Sequence, residues 1–245
     1  MAQAVVTGAT SGIGRAIALA LHGAGHEVIA LGRDAAALAD LQAKGLTAVA
    51  LDLGRAEGLS LRLAEALARA SPDVLVNNAG MVAPPGNFCD MEEDDIHRTI
   101  ATNLTQALLV TRALAPGMRQ RGRGHIFFTG SVAGHTPYPN MAVYAATKAA
   151  LGGFAQSLRL DLSSAGVRVT EIVAGRVESP LYKDVLSAEA RAALYAGGAA
   201  VQPQDVAAMV LAVLALPAHV DVARFDILPT HQSVTPQVPA AGRAS

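Results

Sequence analysis

The sequence predicts a single α/β domain, a doubly wound parallel sheet of about seven strands with helices on both faces and a small helical lid. Three observations lead there. Short runs rich in Val, Ile and Leu alternate regularly with longer alanine- and leucine-rich stretches, which is the pattern of successive β-α-β units. The runs are apolar on both faces, so each strand must be covered above and below, as the strands of parallel sheets are. Finally, 245 residues with 51% hydrophobic positions are enough for one sizeable core.

Residues 4–7 form the first strand. The helix after it spans 13–24 and stops at Gly25, because a glycine accepts the left-handed turn that ends helices. A second strand over 28–31 leads to a helix that Asp34 can cap. Further strands follow over 48–51, 74–76, 125–129 and 167–173, each succeeded by a helical pattern. Between 180 and 201 the pattern is helical and alanine-rich with no strand, which reads as an inserted lid. Residues 205–216 form a late helix, capped by Asp205 and closed by Pro217, and 222–228 form the final strand. The domain is therefore expected over 1–228. Residues 229–245, rich in Pro, Ala, Ser, Thr and Gln, form a loose tail. Right-handed crossovers leave few topologies for such an order of elements.

Composition excludes several classes of function. A net charge of -1 provides no field to attract nucleic acid or an anionic membrane. Cys89 is the only cysteine, which rules out an internal disulfide and fits a reducing, cytoplasmic compartment. Cys89 itself is expected to be a dispensable buried or loop residue. The first residues lack a basic stretch followed by an apolar one, so no secretory peptide is expected. The longest apolar run, 206–216, is too short to cross a bilayer.

One end of the expected sheet carries the marks of a dinucleotide site. Residues 7–14, Thr-Gly-Ala-Thr-Ser-Gly-Ile-Gly, follow the first strand and open the first helix. Gly8 permits the tight turn, Gly12 lets the backbone approach a pyrophosphate, and Gly14 lets the helix pack closely on the sheet. The backbone of Thr10, Ser11 and Ile13, at the positive end of that helix, completes the cradle. At the end of the second strand, where a carboxylate would hold a ribose 2′-OH, stand Gly32 and Arg33. An arginine there favours a 2′-phosphate, hence NADP(H). Asp34 keeps an alternative open: a longer strand would bring it to the ribose and favour NAD. Asp52, with Leu53 beside it, follows the third strand and either bonds the adenine amino group or caps the next turn.

The other marks concern chemistry. Tyr144 and Lys148 are four apart in a good helical stretch, so they share one face. A phenol with a pKa near 10 is a poor acid–base group at neutral pH, and a neighbouring ammonium lowers that value. Ser131 ends the fifth strand thirteen residues before Tyr144, and Asn77, Asn78, Ala79 and Gly80 end the fourth. Ligands of such sheets bind at the carboxyl ends of the strands, which places these residues and the glycine loop along one edge. Asn103, in a helix between strands four and five, is available from behind.

These motifs in this order, T-G-x-x-x-G-I-G, N-N-A-G, Asn103, Ser131 and Tyr144-x-x-x-Lys148, resemble those of the short-chain dehydrogenase/reductase family, over nearly the whole chain. The resemblance implies a Rossmann-type fold and hydride transfer between NADP(H) and a carbonyl or alcohol carbon. It implies that Ser131 polarises the carbonyl oxygen, Tyr144 protonates it, and Lys148 holds the nicotinamide ribose while lowering the tyrosine pKa. Asn103 would position a water linking Lys148 to solvent, and Arg33 would take the 2′-phosphate. Asn78, Ala79 and Gly80 would border the cofactor. A homotetramer, or a homodimer, built partly from the helices around Asn103 and Tyr144 is implied as well. The family usually has Pro-Gly after the sixth strand, where this chain has Ala174 and Gly175, so that loop loses a rigid φ. Gly175 and Val177 are still expected to line the nicotinamide carboxamide through their backbone. Within the family the chain resembles bacterial NADP-dependent 3-hydroxy acid dehydrogenases that accept serine, in segments 7–14, 25–33, 124–126, 216–220 and 229–233.

A carboxylate substrate wants a cation, and Arg176 is the candidate, unless it points to solvent or pairs with Glu178. Tyr138 and Tyr182 are candidates for lining the pocket, with Phe88 and Tyr195 the other aromatics within reach. Two other functions compete. One is reduction of bulkier ketones or 3-oxoacyl thioesters. The other is a redox sensor that binds NADP without turnover, which the presence of both Tyr144 and Lys148 disfavours.

Overall fold

The computed structural model describes residues 2–55, 57–136, 138–196 and 200–230. Seven strands, β1 (Gln3–Thr7), β2 (Glu27–Gly32), β3 (Thr47–Ala50), β4 (Val74–Asn77), β5 (Gly124–Thr129), β6 (Val167–Ala174) and β7 (Arg224–Ile227), form one sheet. Its order is β3-β2-β1-β4-β5-β6-β7, and every pairing is parallel. The chain runs outward from β1 to β3, returns to the middle, and runs outward again from β4 to β7. Between β1 and β4 successive crossovers diverge, and this is where a crevice opens at the carboxyl ends of the strands.

Strand side chains alternate between faces, so neighbours in sequence go to opposite cores. Val6, Val28, Val76, Phe127 and Ile172 pack against Ile17 and Leu21 of α1 (Gly12–Gly23) and Val206 and Val210 of α8 (Pro203–Leu214). Val5, Leu31, Leu75, Ile126 and Phe128 face α3 (Leu59–Ala66), α5 (Gln106–Arg121) and α6 (Ala142–Ser163). Phe127 and Phe128 are both fully buried, each stabilising the fold by about 1.5–3 kcal/mol on the usual transfer scale. The remaining helices are α2 (Ala35–Ala43), α4 (Glu93–Ile100) and α7 (Ala188–Tyr195).

Helix ends follow the expected chemistry with one correction. Gly25 has φ +87°, and Asp34 caps α2 by accepting from Ala37 N at 3.0 Å. Asp205, expected to start the late helix, instead lies inside it. The helix begins at Pro203, and the Asp205 carboxylate reaches back to accept from Gln202 N at 2.8 Å, because proline needs no donor at a first helical position. The segment expected to be helical without a strand contains a 3-10 turn (Pro180–Tyr182) and the eight residues of α7, and Val201 forms a parallel bridge with Val177. The last strand is shorter than expected. Of the expected tail, residues 231–245 lie outside the described residues.

Gly14 is the tightest helix-to-sheet contact at the crevice: a Cβ there would run into Gly8 O and Asn78 Nδ2. Replacing Gly14 with Ala is expected to cost about 1–3 kcal/mol, as overpacking usually does. Thermal unfolding checks this, with a Tm several degrees lower as the expected result and an unchanged Tm as the contradiction.

Candidate active site

The crevice is built from the glycine loop and the end of β4. Gly8 and Gly12 have φ of +64° and +50°, so both positions need a residue that tolerates left-handed backbone. Ser11 is the N-cap residue of α1 and makes no side-chain cap, which leaves the first N–H groups of the helix to a ligand. Thr10 packs over Gly32 at the end of β2, and Ile13 is partly buried against the α1 core. Ser179 and Pro180 lie across from Gly12, at 3.2 and 3.6 Å from the Cβ a larger residue would carry.

At the far end of the crevice Arg33 has a 76% exposed side chain, 3.9 Å from Asp52. Asp34 is committed to capping α2, and β2 ends at Gly32, so the longer strand that would turn Asp34 toward a ribose does not form. Asp52 accepts from Gly54 N at 3.0 Å, the turn-capping arrangement. Leu53 sends its side chain into the core, so only its backbone is left for a ligand.

The end of β4 is held from both sides. Asn78 Nδ2 donates to the carbonyls of Thr7 and Gly8 at 3.2 and 3.4 Å, and its Oδ1 accepts from Thr129 at 3.3 Å. Ala79 N donates to the Thr7 hydroxyl at 3.0 Å. Gly80 keeps space open between Asn103 Oδ1 and Lys148 Nζ, at 3.4 and 3.7 Å from the position its Cβ would occupy.

Ser131, Tyr144 and Lys148 meet where β5 ends against α6. Lys148 is 5% and Tyr144 9% exposed, and Lys148 Nζ lies 5.7 Å from the Tyr144 ring centre. Lys148 Nζ donates to the Thr129 carbonyl at 2.7 Å. Burial pulls this ammonium down to about 8, against the charge of Glu171, which favours the protonated form. The expectation of a lowered Tyr144 pKa is corrected here in its net direction. Burial pushes the phenol up, and the opposing effect comes from a hydrogen bond with Ser131. Asn103 was expected in an ordinary helix but sits in a π-helical turn (Ala101–Thr105) between α4 and α5. Such turns recur at functional sites. Its amide clamps Met81, accepting from Met81 N at 2.8 Å and donating to Met81 O at 2.9 Å, with Thr147 Oγ1 at 3.3 Å.

The sixth strand leads into the other wall. Ala174, which stands where the family usually has a proline, lies within β6 opposite Ile227, and Gly175 N donates to Ile227 O at 2.9 Å. The ladder, rather than a ring-locked φ, fixes that position. Arg176 O and Glu178 N both bond Val201, which turns the N–H and C=O of Val177 to the opposite side, while the Val177 side chain is buried. The four tyrosines of the chain gather here. Tyr138 and Tyr182 pack around Tyr144 with Val82 and Ala133, and the Tyr195 hydroxyl donates to Ser179 O at 3.3 Å. Burial pushes the Tyr182 phenol up, reinforced by the other three tyrosines and opposed by the nearby Arg176 charge. The Tyr138 hydroxyl is buried with no hydrogen-bond partner among the described residues.

Several contributors were not anticipated. The Thr7 hydroxyl, the Gln106 amide bonding Ala79 O at 3.1 Å, Thr147, and a buried Glu171 paired with His135 all support the site. Thr7 opens the T-G-x-x-x-G-I-G motif and could have been found there. The others come from positions whose partners are remote in sequence. Cys89 is exposed, in a 3-10 turn outside this site.

A family model for short chain dehydrogenases matches residues 2–190. An uncharacterized short-chain type dehydrogenase/reductase of Sinorhizobium fredii is 45% identical over 233 residues, covering 94% of this chain and 92% of that protein. A sulfoacetaldehyde reductase of Chromohalobacter salexigens is 37% identical, covering 94% of each. An NADP-dependent 3-hydroxy acid dehydrogenase of Salmonella typhi is 37% identical, covering 94% and 95%. Among solved structures, the closed form of a serine dehydrogenase complexed with NADP+ superposes with a TM-score of 0.89 at 34% identity, over 94% of this chain and 96% of that one. With its sheet order, its glycine loop and its Ser131, Tyr144 and Lys148 cluster, the chain belongs to the short-chain dehydrogenase/reductase family.

Proposed function

We propose that this chain is an NADP(H)-dependent oxidoreductase that interconverts a small alcohol or hydroxy acid with the corresponding ketone or aldehyde, Tyr144 carrying the proton. One arrangement supports this above all: Ser131, Tyr144 and Lys148 converge at the end of the crevice that the glycine loop opens. The cofactor reading is supported by this chain's own residues. Gly8 and Gly12 of the loop carry no side chain and have positive φ, Arg33 is exposed at the end of β2, and Asp34 is engaged elsewhere. Relatives described as NADP-dependent or complexed with NADP+ agree. Gly8, Gly12, Gly14 and the α1 N-terminus would hold the pyrophosphate, Arg33 the 2′-phosphate, and Lys148, Gly175 and Val177 the nicotinamide half.

The bound nicotinamide supplies or accepts the hydride. Ser131 orients the substrate oxygen, and Tyr144 gives it a proton in reduction or takes one in oxidation. A phenol raised by burial is protonated at neutral pH and so ready to donate. The Ser131 hydrogen bond and the Lys148 ammonium stabilise the phenolate left behind. Since the Asn103 amide is occupied with Met81 and Thr147, a water linking Lys148 to solvent would be held by the backbone of the π-helical turn.

The relatives' names point to one kind of substrate. 3-Hydroxy acids, serine and sulfoacetaldehyde each carry an anionic group one carbon from the reacting carbon. Arg176, beside Tyr182 and Tyr195 at the pocket wall, would receive that anion, and the unpartnered Tyr138 hydroxyl would bond a polar substituent. The segment over 180–201 would act as the lid. A cytoplasmic homotetramer completes the proposal. No described helix is long and apolar enough to cross a membrane.

Tyr144→Phe is expected to lower kcat by about 100-fold or more while leaving the Kd for NADPH unchanged, because only the proton donor is lost. Substantial residual turnover would remove Tyr144 from the mechanism. Arg33→Ala should weaken NADPH by about tenfold or more and leave NADH nearly unaffected, the size expected for a charge-assisted phosphate contact. A preference for NADH in the parent protein would contradict the Arg33 assignment. Arg176→Ala should raise KM about tenfold for 3-hydroxy acids and sulfonated aldehydes and spare uncharged ketones. In the same assays, turnover of bulky ketones or 3-oxoacyl thioesters alone would keep the reaction class and discard the anionic substrate.

A further inference from the structure

Behind the lysine lies an acid that this reaction scheme does not use. Glu171, in β6, is 1% exposed, and its Oε1 is 2.9 Å from His135 Nε2. Its Oε2 is buried with no hydrogen-bond partner among the described residues. Two glycines make room for the carboxylate. A Cβ on Gly130 would meet Oε1 at 2.5 Å, and one on Gly152 would meet Oε1 and Oε2 at 2.9 and 3.1 Å. Gly152 is four residues beyond Lys148 on α6, so the carboxylate fills a notch one helical turn from the lysine.

A buried carboxylate is costly to keep ionised without a cationic partner. Lys148 is faced by the Tyr144 phenol on its own helix, the Thr129 carbonyl from β5, the Asn103 amide across Gly80, and Glu171 from β6. Glu171 is the charged group that acts on the ammonium, and it opposes the burial that draws the lysine down to about 8. His135, with a 29% exposed side chain, connects the carboxylate to solvent.

We propose that Glu171 is a positioning residue, the buried counter-charge that keeps Lys148 cationic, with His135 as its solvent-side hydrogen-bond partner. The consequence for catalysis rests on the assignment of Tyr144 and Lys148 above; the electrostatic coupling itself does not. An anion beside an amine favours the charged form, so removing it must lower the pH at which Lys148 loses its proton. A lysine neutral at the working pH stabilises the Tyr144 phenolate less.

The chain has three lysines, Lys44, Lys148 and Lys183, so carbon-13 labelling of lysine in the full-length, ligand-free protein isolates the buried one, assigned with Lys148→Arg. Glu171→Gln is expected to lower the Lys148 titration midpoint by about one pH unit, tenfold in the deprotonation equilibrium. The alkaline limb of its kcat–pH profile should move the same way. Should that variant fail to fold, Glu171→Asp draws the carboxylate back toward β6 and should produce a smaller shift in the same direction. An unmoved Lys148 midpoint, with activity lost equally at all pH values, would mean that Glu171 only packs the strand and would overturn the proposal. A shifted midpoint with an unshifted kcat profile would uphold the coupling and count instead against Lys148 in the reaction.

Discussion

The site hangs on the hydroxyl of Thr7. It accepts from Asn78 N at 2.9 Å and from Ala79 N at 3.0 Å and lies 3.4 Å from Val76 O, while the Asn78 amide returns to the carbonyls of Thr7 and Gly8. β1 and β4 are neighbours in the sheet but far apart in sequence, and at their carboxyl ends the ladder stops. Without a side-chain latch, the glycine loop and the segment from Asn78 to Gly80 would have no fixed relation to each other. Because Thr129 also donates to Asn78, the same latch reaches β5, whose Thr129 carbonyl receives Lys148. The glycine cradle, the Gly80 gap and the lysine are thus registered to one another by buried hydrogen bonds whose geometry tolerates little displacement.

Close approach is the second constraint. Gly14, Gly32, Gly130, Gly134 and Gly152 each stand where a Cβ would strike a neighbour, and in each case the neighbour belongs to the site or supports it: Asn78, Thr10, Glu171 and the Lys148 backbone. In the proposed cofactor site the glycines of the loop would serve the phosphates. Those around β5 and α6 instead make room for a buried carboxylate and for the turn that carries His135. Low side-chain volume therefore does two jobs at opposite ends of the crevice. One would admit the cofactor's phosphates, as proposed above, and the other accommodates the Glu171 side chain.

Burial then decides the charges. Tyr144 and Lys148 lie in the same low-dielectric pocket, and desolvation disfavours the ionised form of each, raising the phenol and lowering the ammonium. Spacing along a helix predicts that the two groups are partners, but it carries no information about how much water they lose. The sign of the Tyr144 shift was misjudged from sequence for that reason, while the pairing of the residues was anticipated correctly.

The sequence alone determined the order and type of the elements, the parallel sheet, the glycine loop, the capping of α2 by Asp34, and the helical face shared by Tyr144 and Lys148. All of these are local, set by periodicity, by glycine and proline, and by spacings within a single turn. Only the tertiary structure decided that Asn103 sits in a π-helical turn with its amide on Met81, that Leu53 faces the core, that Asp205 caps from inside its helix, and that all four tyrosines gather at one wall. It also brought Glu171 from β6 to the far side of Lys148. These depend on contacts between segments tens of residues apart, and on the solvent those contacts exclude, neither of which leaves a periodic trace in the chain.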